Sequence, residues 1–195
     1  MATQFVNRES MNTKSRNVTP TFMDKDEAQR VAGSSDPMPV IDVNHLRLHE
    51  GRAYYTYKFL PSSAGLAVNA NLDIAIAWPA GVLAHLIAIF QTGGESEFYL
   101  YESPTTSGGT AQTIHRRNRN LNTASTAAAV YAPTVTATGT EIYGEFISSG
   151  AGGTGVGGEN FTFEYVMKPL TTYLFRITNT NSQNHAAELR IEWYE

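Results

Sequence analysis

The residues with the widest chemical range stand in His45-Leu-Arg-Leu-His49-Glu50. Imidazoles beside a carboxylate suit zinc, but the metalloprotease arrangement needs H-E-x-x-H on a helix, and the order here is different. The segment reads as part of a strand over 40–49. On it His45, Arg47 and His49 share one face, with Leu46 and Leu48 opposite, so a third zinc ligand would have to come from elsewhere. His85 sits in an apolar run and reads as a satisfied core residue. His115-Arg-Arg-Asn-Arg119 is the basic cluster. Its arginines Arg116, Arg117 and Arg119 can grip phosphate or carboxylate through paired hydrogen bonds. Without neighbouring stacking aromatics they make a poor nucleic-acid site and read as a solvated loop or an interface ion-pair set.

Three other patterns carry possible chemistry. Gly150-Ala-Gly-Gly-Thr-Gly155 fits G-x-G-x-x-G. A dinucleotide site needs that pattern between a strand and a helix. Here a strand-like run follows, so it reads as a flexible hairpin loop. Glu97, Glu102, Glu145, Glu164, Glu188 and Glu192 fall in strand-like segments. A glycosidase needs two of them at a defined separation, and exposed sheet-face charges explain them equally well. Tyr54, Tyr55, Tyr57, Tyr99, Tyr101, Tyr143 and Tyr173 suit either a sugar-stacking platform or the edge of a core with hydroxyls reaching water. There is no G-x-S-x-G. The chain has no cysteine, which excludes disulfides, thiolate metal sites and a cysteine nucleophile.

The elements that must position these residues are strands. The last ten residues alternate, with Ala187, Leu189, Ile191 and Trp193 on one face and Glu188, Arg190, Glu192 and Tyr194 on the other. With the two runs before it, joined at Lys168-Pro169, this predicts an antiparallel meander. Other strand candidates are 52–60, 71–78, 82–91, 95–101, 111–115, 141–148, 160–168 and 171–179. The apolar run 72–90 approaches the length of a membrane span. Asp73, His85 and the central Pro79-Ala-Gly81 turn make it two buried strands instead. Two insertions, 116–140 and the glycine run 149–158, break the rhythm, and long loops on a β scaffold are where binding usually sits.

Charge is scarce at 16% of 195 residues, and the net charge of −4 gives no general pull toward nucleic acid or acidic lipid. The N-terminus lacks the apolar core of a secretory signal. Ten charged residues, five of each sign, crowd into positions 1–36. Large apolar residues are sparse there, with a short helix possible over 24–31. This segment reads as an arm, either a plain disordered tail or one that orders on a partner, and Asp36-Pro-Met-Pro39 ends it with a stiff extended stretch.

Six stretches in order carry a resemblance: His49-Glu-Gly-Arg52, Phe98-Tyr-Leu-Tyr-Glu-Ser-Pro104, Gly109-Thr-Ala, Arg117-Asn-Arg-Asn120, Met167-Lys-Pro-Leu-Thr-Thr-Tyr-Leu174 and Trp193-Tyr-Glu195. Over about residues 45–195 the chain resembles a family of tailed-bacteriophage virion structural proteins of the head decoration, or capsid cement, type. The resemblance implies a passive, non-enzymatic β protein without a cofactor. It would be made in the host cytoplasm and placed on the outer capsid surface, as a homotrimer bound to the major capsid protein.

The expectation is an all-β, antiparallel, jelly-roll-like sandwich over 40–195 with an N-terminal arm over 1–39. No catalytic residue, metal ligand, membrane contact or direct nucleic-acid contact is expected. Arg8, Arg16, Phe22, Arg30, Arg116, Arg117 and Arg119 are the candidate contacts to capsid or to other copies. The alternatives are a carbohydrate- or receptor-binding module of a tail fibre or baseplate, and a hydrolase on a jelly-roll frame.

Overall fold

A computed structural model describes residues 21–23, 29–31, 43–148 and 164–195. The chain divides into two compact units, Met1–Asp42 and Val43–Glu195. In the first, β1 (Thr21–Met23) and β2 (Gln29–Val31) pair antiparallel, with Phe22 opposite Arg30. A helix expected over 24–31 thus gives way to a strand at its end. Its middle, like Arg8 and Arg16, lies outside the described residues.

The second unit begins with a helix where the sequence suggests a strand. α1 (Val43–His49) ends at Gly51, whose φ is +73°. The Gly51 amide bonds the Leu48 carbonyl and the Arg52 amide bonds the Arg47 carbonyl. This paired closure is the left-handed helix stop that glycine permits without strain. Glu50-Gly51, legible only as a turn, is therefore a helix cap, and its hydrogen bonds outweigh the apparent alternation of 45–49.

Thirteen strands follow: β3 (Ala53–Leu60), β4 (Asn71–Ala77), β5 (His85–Thr92), β6 (Ser96–Glu102), β7 (Thr105–Ser107), β8 (Thr110–Ala111), β9 (His115–Arg116), β10 (Ala128–Tyr131), β11 (Thr134–Ala137), β12 (Thr140–Ile147), β13 (Tyr165–Val166), β14 (Thr172–Asn179) and β15 (Ala187–Tyr194). They build two antiparallel sheets, ordered β12-β6-β14-β4-β10-β8 and β13-β5-β15-β3-β9. β7 and β11 form a separate pair. The run 72–90 is two strands around a turn, as its Pro and Gly predict. Among the described residues no helix is long and apolar enough to cross a membrane.

Two expectations about pairing are corrected. The last three strands are not a meander. β13 and β15 lie in the five-stranded sheet, while β14 lies in the other between β6 and β4. Alternation reports which face of a strand is buried, and it is silent on which sheet the strand joins. The candidate strand 111–115 is two short pieces on different sheets, β8 and β9. The intervening residues cross one edge of the sandwich, where Thr56 Oγ1 donates to the Thr113 carbonyl at 3.0 Å. The supposed long loop 116–140 also contains β10 and β11. Of the candidate strand 160–168, only Tyr165–Val166 is paired among the described residues.

The core lies between the sheets. Leu72, Ile74 and Ile76 of β4 face Leu86, Ala88 and Phe90 of β5 and Leu189, Ile191 and Trp193 of β15 in one buried cluster. Phe90 stacks on Phe98 with ring centroids 4.1 Å apart. Trp78 meets Trp193 and Tyr173 edge-on, at 6.0 and 5.9 Å. Outside the core, Arg176 on β14 holds Asp73 on β4 with two bonds, Nε–Oδ1 2.8 Å and Nη2–Oδ2 2.7 Å, and the carboxylate raises the guanidinium pKa.

Two stability outcomes follow. Gly51→Ala is expected to cost about 1–2 kcal/mol in urea unfolding, from the left-handed backbone. An added Cβ would also lie 2.6 Å from Leu121 Cδ1. Asp73→Ala is expected to cost about 3 kcal/mol by stranding Arg176, with D73L/R176M recovering most of that loss. An undiminished midpoint in D73A would show that the pair contributes nothing.

Candidate functional site

One end of the sandwich gathers α1, the β4–β5 turn, loop 121–126 and the end of β15 around a cavity of about 510 Å³. Arg47, Arg52, His85 and Glu195 bring charge or polarity to its wall, and Val82 and Leu83 bring apolar surface. The wall is largely held in internal bonds. Arg47 pairs with Glu50 at 2.9 Å. His85 Nδ1 lies 2.8 Å from Glu164 Oε1, and its ring stacks on Tyr194 at 4.7 Å. The Glu195 carboxylate accepts from the Thr126 amide and hydroxyl at 2.9 and 3.2 Å. His85 is thus not a core residue. It points outward, and a hydrogen bond with Glu164 satisfies it.

The same end exposes apolar side chains. Leu83, Val166 and Leu170 are 59%, 56% and 79% exposed. They stand on adjoining chain segments, since the Met167 amide bonds the Ala84 carbonyl and the Leu170 amide bonds the Trp78 carbonyl. Leu170 takes a left-handed backbone, φ +55°, which side chains adopt at a cost of about 1–2 kcal/mol. The turn thus holds a large apolar side chain out in water.

The arginines at 116–119 do not form a single basic patch. Arg116 donates to Asn122 at 2.8 Å, Arg117 pairs with Glu192 on the outer face of β15 at 3.0 Å, and Arg119 is exposed. Between them, Asn118 Nδ2 donates to the Leu48 and His49 carbonyls at 3.1 and 3.3 Å. The loop therefore closes the end of α1.

The tyrosines separate as well. Tyr54 and Tyr173 are buried. Tyr55 and Tyr57 stack with His115, at 5.1–6.1 Å, on the outer face of the five-stranded sheet. Tyr57 and nearby Phe59 are 44% and 52% exposed. Tyr99 and Tyr101 stack on the other sheet. No single platform unites them. The glutamates have separate partners too: Glu97 accepts from Tyr99, Glu102 from Lys168 and Tyr173, Glu145 from Tyr143, and Glu192 from Arg117. The glycine run 149–158 lies outside the described residues.

Sequence reasoning missed three things: α1, the cavity and the exposed leucines. Glycine after a short polar-apolar run was the available signal for α1. The cavity and the leucine cluster arise from segments far apart in the chain, and no local pattern announces them.

Comparison of the chain with known proteins found no matching family model, no matching curated protein and no matching solved structure.

The hydrogen-bonded groups set a pH window. The Lys168 ammonium holds the Glu102 carboxyl below its ordinary 4.5. Burial raises Tyr54, Tyr101 and Tyr173 above 10.0, and the bond to Glu97 raises Tyr99. A lowered carboxyl stabilises above its unfolded value and loses that contribution as pH falls through the folded one. A raised phenol stabilises until pH climbs past its unfolded value. The urea midpoint is therefore expected to decline on both sides, below 4.5 and above 10.0, with Glu102→Gln shallowing the acid limb. An acid limb unaltered in that variant would refute the role of Glu102.

Proposed function

We propose that this chain is a non-enzymatic bacteriophage head decoration protein, which binds the major capsid protein as a homotrimer and stabilises the head. The observation that carries the reading is where the six resembling stretches fall. Nearly all are occupied in holding the framework together. Gly51 caps α1, Asn118 closes it, Arg117 ties the loop to β15, Glu102 joins Lys168 and Tyr173, Trp193 fills the core and Glu195 fastens Thr126. A resemblance carried by residues of this kind supports a common scaffold more than a common reaction.

The order of pairing favours the same reading. Taking β3, β4, β5, β6, β12, β13, β14 and β15 as the first to eighth principal strands, one sheet runs 1-8-3-6 and the other 2-7-4-5. We read this as a jelly roll, an architecture that serves viral capsid and lectin domains. The contact with the capsid is assigned to the sandwich end bearing Leu83, Val166 and Leu170. Exposed apolar groups rimmed by polar ones are typical of protein interfaces.

A second reading, carbohydrate binding, is favoured by one observation, the Tyr55–Tyr57–His115 stack on an open sheet face. Co-sedimentation with heads lacking the protein separates the two. Saturable binding at a fixed ratio to the major capsid protein, lost in L83E/L170E and retained in Y57A, is the expected result. Absence of head binding together with Y57A-sensitive glycan binding would replace the first reading with the second.

A further inference from the structure

α1 brings together two imidazoles that a strand would have held apart. His45 and His49 stand one helical turn from each other, Nε2 to Nε2 3.0 Å, with ring centroids at 4.5 Å. Both are exposed. A proton shared between the two nitrogens accounts for that distance. So does a cation that takes a lone pair from each.

The distance is compatible with a shared cation. Imidazole–metal bonds are about 2.0–2.1 Å long. A separation of 3.0 Å then subtends about 94° at the ion, given those bond lengths. That is the angle between neighbouring ligands in square-planar or octahedral coordination. A tetrahedral ion would set the nitrogens about 3.3 Å apart at the same bond lengths. Imidazole binds copper, nickel and zinc, and copper(II) binds most tightly of the three.

We propose that His45 and His49 form a two-histidine site for a divalent late transition-metal ion, Cu²⁺ or Ni²⁺ ahead of Zn²⁺. The site is held in shape before any ion arrives. The Gly51 cap fixes the last turn of α1. Asn118 occupies the Leu48 and His49 carbonyls, and Leu121 packs against Gly51. Among the described residues no group of three His, Cys, Asp or Glu side chains is placed to hold a metal. A seven-residue helix is marginal by itself, and an ion bridging His45 to His49 fastens its final turn.

The test titrates the full chain with CuCl₂, NiCl₂ and ZnCl₂ in a non-chelating buffer by calorimetry, with electron paramagnetic resonance of the copper form. One Cu²⁺ per chain is expected with micromolar affinity, followed by Ni²⁺ and then Zn²⁺. His45→Ala and His49→Ala should each weaken copper binding by about tenfold or more, in chains whose far-ultraviolet dichroism shows them still folded. The two-nitrogen hyperfine pattern should be lost in both variants. Copper binding that survives both substitutions, or no binding with copper in large excess, would overturn the proposal.

Discussion

The structure depends on one layer of apolar side chains pressed between two sheets that are woven from a single thread. From β3 to β6 each strand joins the opposite sheet from the one before it, and the same holds from β12 to β15. Neighbouring strands in a sheet are therefore distant in sequence, and a turn rarely joins two partners. Hydrophobic contact across the layer, such as Phe90 on Phe98, must form together with the ladders it aligns. A fold of this kind pays loop-closure entropy before pairing rewards it, which makes it slow to form and cooperative once formed.

Polar groups inside that layer are few: the Trp78 and Trp193 indole N–H groups are buried with no hydrogen-bond partner among the described residues, whereas Asn179 is fully bonded. Asn179, buried at the end of β14, donates to the Leu66 and Gln183 carbonyls and accepts from the Asn181 amide. Its own backbone bonds Ala70 and Asn69. One side chain thereby fixes the path from β14 toward β15 and holds the segment before β4 beside it. Asp73 and Arg176 do the corresponding work on the outer face. Asn179 sits where the chain leaves one sheet and the Asp73–Arg176 pair sits within one, between β4 and β14; at either place a displaced strand would leave a buried amide or charge without its partner.

What could be read from the sequence follows from the range of each signal. Period-two alternation in 187–194 and the Pro-Gly break in 72–90 are local, and the strands they predicted are present. Sheet membership is a long-range property, so the three-strand meander at the C-terminal end proved wrong although two of its strands were placed within a residue or two. The 45–49 segment alternated by accident of Leu46 and Leu48, and the deciding residue was Gly51, beyond the pattern. The short pieces β8, β9 and β13, two residues each, carry too little sequence to show a period at all. The same limit hid the sandwich end. Leu83 and Leu170 carry no signal singly, and only the backbone bonds of Met167 to Ala84 and of Leu170 to Trp78 join their chain segments.

The placing of β14 and β15 has a consequence for the order of assembly. Each is a central strand, β14 between β4 and β6 and β15 between β3 and β5, and each follows in sequence both of the strands it joins. The middle of both sheets therefore stays open until 172–179 and 187–194 are inserted, and a copy without β15 leaves β3 and β5 as two edges with nothing between them. Unpaired edges of that kind invite pairing with other chains, so insertion of the two central strands is the step that protects the earlier ones.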